Sequence, residues 1–214
     1  MNRNRKTELT ERQARLAQVK AEQKKAERKR TWIIASVAGV LVLGLIGTTI
    51  AIVVDQGAKN ADLAAQAKEP IRGVKTFTGL SQDHVSTAVD YAQNPPTGGA
   101  HSAVGQVCGF YSEPIVDENG VHSLEHGAVW ITYDPSLAPG QVDSLRAFAA
   151  KDNYVLVSPR DGLASPVVAS AWGVQLQLDS AADKRLPLFL AAYVNGPQTP
   201  EPGASCSDGV GTPE

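Results

Sequence analysis

The chain has 214 residues and a formal net charge of −2, which conceals a sharp division. Residues 1–30 carry 11 Lys and Arg against 4 Glu, while residues 55–214 carry 9 basic and 18 acidic residues. A basic tail without aromatic interleaving or a folded module excludes nucleic acid as the expected partner. Nor is there a G-x-S-x-G elbow, a P-loop or a dinucleotide fingerprint to suggest the enzyme classes those motifs mark.

In chain order, Thr10-Glu11-Arg12-Gln13 fits a capping box, a hydroxyl at the N-cap with Gln three residues on. The segment to Arg30 is rich in Ala, Gln, Glu, Lys and Arg, all good helix formers. Leu16 and Val19 are its few large apolar residues, so the expectation is a solvated, partly ordered helix over residues 1–30. Basic residues beside a membrane are drawn to anionic lipid at about 1 kcal/mol per charge.

Trp32 to Val54 is a run of 23 residues without a charge. As a helix it is roughly 35 Å long, enough for a hydrocarbon core of roughly 30 Å. Only a helix satisfies all its own backbone polar groups there. A transmembrane helix is therefore expected over 31–54. The Lys- and Arg-rich flank keeps the N-terminus cytoplasmic and puts the rest outside. The charged region and apolar run are both too long for a cleaved signal peptide. A polar, Ala-rich stretch over 55–70 reads as a stalk, ended by Pro70.

Residues 71–206 are enough for one domain with its own core. Its first part, Arg72 to Gly120, reads as loop-rich. Gly127 to Tyr133 is a compact apolar and β-branched run, so a buried strand. Gln141 to Lys151 has helical spacing, and Tyr154 to Val157 is a short strand stopped by Ser158-Pro159. Val174 to Leu178 alternates and reads as half-buried. A helix from about Ala181 to Val194 is interrupted by Pro187, where a kink or two short helices are expected, and stopped by Asn195-Gly196. Strand, helix, strand, strand, helix predicts an α+β sandwich with helices on one side of a mainly antiparallel sheet, and a ferredoxin-like arrangement is the nearest template. Residues 207–214 read as a flexible tail.

Cys108 and Cys206 both follow the apolar run. In an oxidising compartment a disulfide is the default for them, and the alternative makes Cys108 a metal ligand and leaves Cys206 free. All four histidines, His84, His101, His122 and His126, fall within 43 positions. Three or four imidazoles brought together suit Zn²⁺ or Cu²⁺. The one methionine is Met1, which excludes a methionine-based Cu(I) carrier site. His122-Ser123-Leu124-Glu125-His126 matches H-x-x-E-H, the inverted zincin signature. Asn119-Gly120 before it and Gly127 after it leave little room for the long helix that such enzymes need. Pro95 and Pro96 followed by Gly98 and Gly99 make a rigid turn and then a flexible one, able to present His101 at a site.

Three stretches, Asn94 to His101 (NPPTGGAH), Cys108 to Tyr111 (CGFY) and His122 to Val129 (HSLEHGAV), make the chain resemble a bacterial family catalogued as domain of unknown function 3105. The resemblance spans roughly residues 70–195. Where that family shows Ser before the glycine of the first motif, this chain has Gly98. The resemblance implies one N-terminal membrane helix and one outer domain, and brings no activity with it.

The leading expectation is a single-pass protein of the bacterial cell membrane whose outer domain binds copper or zinc, in metal handling or as an accessory of an envelope complex. His101, His122 and His126 are the preferred ligands, with His84 or Glu125 as a fourth. The alternatives are a non-catalytic assembly protein of the envelope with a protein partner, and a small metallohydrolase.

Overall fold

A computed structural model describes residues 3–214, with side chains for residue 12 and residues 14–214. The chain divides into two units, Met1–Lys59 and Asn60–Glu214.

The first unit is helical. Helix α1 runs from Arg3 to Gln66, so it starts before the expected cap and continues through the expected stalk. Its backbone is already helical at Thr10, which is therefore not an N-cap; the side chains of Thr10 and Gln13 lie outside the described residues. The apolar run presents its side chains all round, with Trp32 at 74% and Leu43 at 70% exposure. It is long and apolar enough to cross a membrane. Its few polar groups are turned inward: Ser36 Oγ donates to Trp32 O, Thr48 Oγ1 to Leu45 O and Gly44 O, and Thr49 Oγ1 to Leu45 O. Hydroxyls tied to their own helix leave these donors paired, as an apolar surrounding would require. Beyond Val54 an ion pair one turn apart, Lys59 to Asp55 at 2.7 Å, supports the helix in the stretch that reads as a stalk.

The second unit is built on a mixed six-stranded sheet. Its strands are β1 (Val74–Thr76), β2 (Gly109–Phe110), β3 (Val129–Tyr133), β4 (Val155–Pro159), β5 (Val167–Ala171) and β6 (Val174–Leu178), in the order β1-β6-β5-β3-β4-β2. The helices are α2 (Asp117–Glu125), α3 (Pro139–Ala149) and α4 (Arg185–Tyr193). Strands β3 and β4, joined through α3, are direct parallel neighbours, and β2 pairs parallel with β4. Antiparallel pairs join β3 to β5, β5 to β6 and β6 to β1.

This arrangement corrects the ferredoxin-like expectation. That template is a split β-α-β, with another strand between the two that its helix connects. Here the two are adjacent. A second correction concerns the layers. Val129, Ile131, Val155, Val157, Val167, Ala169, Leu176 and Leu178 point to one face, where they meet Leu145 of α3 and Leu186 and Phe189 of α4. The alternate residues Trp130 and Leu156 point to the other face and pack on Val121 and Leu124 of α2 and on Trp172. Helices therefore cover both faces. Part of the β6 glutamine face is buried as well: Gln175 is 4% exposed and donates to Pro95 O at 2.9 Å, while Gln177 is half-buried.

Strand β5 is an addition to the expected list. Trp172-Gly173 turns it directly into β6, with Gly173 at φ +69°. Strand β4 runs on through Ser158 and Pro159, which pair with Thr132 and Tyr133. Pro187 does not break its helix. Helix α4 begins at Arg185, so Pro187 lies in the first turn, where backbone N–H groups have no intrahelical partner to lose.

The C-terminal tail is also not loose. Val210 pairs with Gln106, Val107 N donates to Val210 O at 2.9 Å, and Glu214 N donates to Phe110 O at 2.9 Å. The Glu214 carboxylate accepts from Ser112 and lies 3.6 Å from Arg146. The Ser112 hydrogen bond, more than Arg146, lowers the Glu214 carboxyl pKa. Cys108 and Cys206 are at disulfide-bonding distance, with Cα atoms 5.4 Å apart.

Candidate metal centre

Helix α2 carries the H-x-x-E-H segment. It is short, nine residues, and its last six are buried. The depth comes from Gly120: a Cβ there would lie 2.8 Å from the ring of Trp130. With no side chain at that point the helix settles against β3, and His122 and Glu125 are drawn inward. Gly120→Val is expected to cost about 1–3 kcal/mol through overpacking, read as a shift in the urea midpoint. An unchanged midpoint would show that the helix can ride higher at no cost.

The Pro–Gly loop holds the next residue. Asn94–Pro95 is cis, and Pro95, Pro96, Thr97 and Gly98 are all buried. Gly98 has φ +140°, and a Cβ on it would come within 2.8 Å of Leu80 and 3.2 Å of the Trp172 ring. Tyr91 steadies the loop by donating to Ala100 O at 2.7 Å. Burial, with Glu118 and Asp117 nearby, raises the Tyr91 phenol above its ordinary range and keeps it a donor. The loop delivers His101, which is fully buried with its ring edge-on to Trp172 at 5.7 Å.

His84 arrives by backbone pairing. His84 and His101 form a parallel bridge, with Val85 N donating to His101 O at 2.7 Å and His101 N to Asp83 O at 3.0 Å. The His84 ring then sits 4.9 Å from that of His101 and 5.1 Å from that of His122.

One donor atom from each of His84, His101, His122 and Glu125 lies within 4.8 Å of the others. Nδ1 of His101 faces Gly99 O at 2.7 Å. A carbonyl only accepts, so this nitrogen carries the hydrogen and Nε2 is the one turned to the cluster. Nε2 is 2.8 Å from Glu125 Oε2. Two lone pairs do not face each other at that separation, so either a shared proton or a cation holds them together. His84 Nε2 is 3.5 Å from the same oxygen. His122 Nδ1 is buried with no hydrogen-bond partner. Burial, with His126 and His101 beside it, pushes the His122 imidazole below its ordinary range and favours the neutral form that binds metals.

A tetrahedral ion with bonds of about 2.0–2.1 Å sets its donors about 3.3 Å apart. The widest pair here would close by roughly 1.5 Å to meet that spacing. A buried carboxylate among three imidazoles, with one buried nitrogen unpartnered, is a donor set that fits a transition-metal ion.

His126 does not join the cluster. It is the C-cap of α2, its Nδ1 lies 2.7 Å from Ser205 O, and its Nε2 is 3.6 Å from Glu201 Oε2. Its ring touches that of His122 at 4.4 Å but serves to hold the C-terminal segment. The inverted zincin roles are thus not reproduced, although the motif is helical after all. Glu125 is buried at 2% exposure beside His101 where a general base would face a cleft, and the second motif histidine is turned away. Two residues that the sequence does not single out also shape the site. Trp172 flanks His101, and a Cβ on Gly105 would lie 3.0 Å from the His122 ring. A Trp-Gly turn between strands marks a hairpin; nothing in it signals contact with a histidine 71 positions earlier.

No curated protein and no solved structure matches the chain. Residues 84–208, which contain all four cluster residues and both cysteines, match the family model described as a protein of unknown function (DUF3105), so the chain belongs to the DUF3105 family.

Proposed function

We propose that this is a single-pass membrane protein whose C-terminal domain binds one transition-metal ion, zinc or copper, through His84, His101, His122 and Glu125. The observation that carries the reading is the convergence of four donor atoms within 4.8 Å, three of them from buried residues. Burying a carboxylate is costly unless it is paired, and here its visible partners are imidazoles. Hydrogen bonding of His101 Nδ1 to a backbone carbonyl is the usual outer support of a metal-bound histidine.

The apolar part of α1 supports membrane anchoring, with the basic N-terminal arm on the cytoplasmic side against anionic lipid and the metal domain outside. Three imidazoles and one carboxylate mix nitrogen and oxygen donors, which both Zn²⁺ and Cu²⁺ accept. The role would be metal handling, or support of an envelope complex, in a bacterial cell membrane. Hydrolysis is the weaker reading, because Glu125, the glutamate of the motif, is buried against His101 and His84.

The test is metal content. The full chain, purified in detergent and loaded with Zn²⁺ or Cu²⁺, is expected to hold one equivalent by elemental mass spectrometry. A His122→Ala/Glu125→Gln variant that keeps its far-UV spectrum is expected to hold none. Retention should fall as the pH drops, because protons compete for all three imidazoles. A parent that stays metal-free under loading, or a variant that retains the ion, would falsify the assignment.

A further inference from the structure

We infer that His84 is the exchangeable corner of this centre, where an incoming imidazole from a second protein replaces it and takes up the metal. This rests on the metal reading above and adds a direction to it.

The four ligands are held very unequally. His101 is fully buried, tied at Nδ1 to Gly99 O and packed against Trp172. His122 sits within α2, its ring backed by Gly105. Glu125 ends the same helix, and its backbone carbonyl accepts from Glu201 N at 3.0 Å. His84 is held through its backbone bridge to His101, while its ring is tied far less. Its side chain is 46% exposed, and among the described residues its only side-chain polar contact is Glu125 Oε2 at 3.5 Å. Gln82, Asp83, Ser86, Thr87 and Ala88 around it are exposed, so the approach to this corner is open.

Energetics follow the same division. His101 and Glu125 are 0% and 3% exposed in their side chains, so either could leave the ion only into a buried setting with no water to replace the lost bond, which is unfavourable. Swinging His84 away returns a half-exposed imidazole to water. The neutral donor best matched to the vacated position is another imidazole, which preserves both the charge of the centre and its donor set. Bonds are conserved in the exchange: one metal–nitrogen bond breaks at His84 and one forms to the incoming ring, with no redox step.

Co²⁺ serves as the probe, bound to the full chain in detergent and followed by its visible absorption during transfer to excess chelator. His84→Ala is expected to bind one equivalent and to release it faster than the parent by at least about tenfold, the factor that one supporting contact around a metal already carries. Free imidazole is expected to slow that release and restore the parent spectrum. His101→Ala, or His122→Ala if the first is poorly folded, is expected to bind no Co²⁺ with or without imidazole.

Two results would overturn the exchange role alone. One is a His84→Ala protein that matches the parent in rate and spectrum. The other is one that loses Co²⁺ as His101→Ala does and is not rescued by imidazole. Failure of the parent to bind Co²⁺ would remove the metal centre itself and this role with it.

Discussion

Trp130→Ala is expected to be the most damaging single substitution in the domain, at about 3–5 kcal/mol. A domain of this size has only about 5–15 kcal/mol in hand, so the variant should sit near the edge of folding. Trp130 is 1% exposed and is the largest fully buried side chain. Three separate contacts would go at once. Its ring fills the space that Gly120 leaves under α2. Its Nε1 donates to Ser158 Oγ at 2.9 Å, and removing it would leave a buried hydroxyl unpaired. Arg160, which binds Asp117 at the start of α2, lies over the same ring at 5.7 Å. A urea titration of the full chain in detergent, read by circular dichroism, measures the loss. Any metal retention should fall with it, because the indole supports the helix that carries His122 and Glu125, two of the candidate ligands. Trp130→Phe keeps a ring under Gly120 and should lose much less. If Ala and Phe cost the same, the indole N–H and not the packing is the main contribution.

Replacing both cysteines, Cys108→Ala with Cys206→Ala, is expected to cost about 4–5 kcal/mol in the chain-entropy account. The link closes a loop of 98 residues, long enough for a large effect on the unfolded chain. The two losses have different origins. The Trp130 loss comes from packing in the native state; the cysteine loss comes mainly from freedom gained by the denatured state. A specific local result should accompany the second. Cys108 N donates to Cys206 O at 2.8 Å, and Ser205 O holds His126, so the segment from Ser205 to Glu214 should lose amide hydrogen-exchange protection first. A double variant with the parent's midpoint and unchanged protection in that segment would show that backbone pairing alone secures the C-terminus.

The strands of the second half were legible because each is a dense apolar run bounded by turn residues. Strand β5 is hard to see in the sequence because VVASA is small and mild, and its signal lies in the Trp172-Gly173 turn that follows. The side chains of Gln175 and Gln177 gave β6 the look of a half-exposed strand; what buries Gln175 is a proline carbonyl 80 residues earlier. Pro187 looks like an interruption only if the helix begins near Ala181; it begins four residues later, at Arg185.

At the site, histidine clustering in sequence did reflect clustering in space. Sequence ranks His126 above Glu125 as a ligand, and the structure reverses that order. Helical spacing places His122 and His126 together, and their rings do touch. What keeps His126 out of the candidate cluster is Ser205, 79 positions away. The tail was read as loose because its residues are small and polar, yet it is fixed by main-chain hydrogen bonds, which side-chain identity does not report.

The link between Cys108 and Cys206 encloses α2, α3, α4 and every strand from β2 to β6 in one covalent ring. Helix α1, β1, His84 and His101 stand outside it, on the arm that leads to the ring. A protease that cuts once inside the ring therefore sheds nothing: both pieces stay tethered to α1. A cut in the arm between Gln66 and Cys108 severs the only covalent path. The candidate centre spans that boundary, with two ligands from the arm and two from the ring. An ion held there would act as a rivet between the two parts, able to keep a nicked domain on its tether.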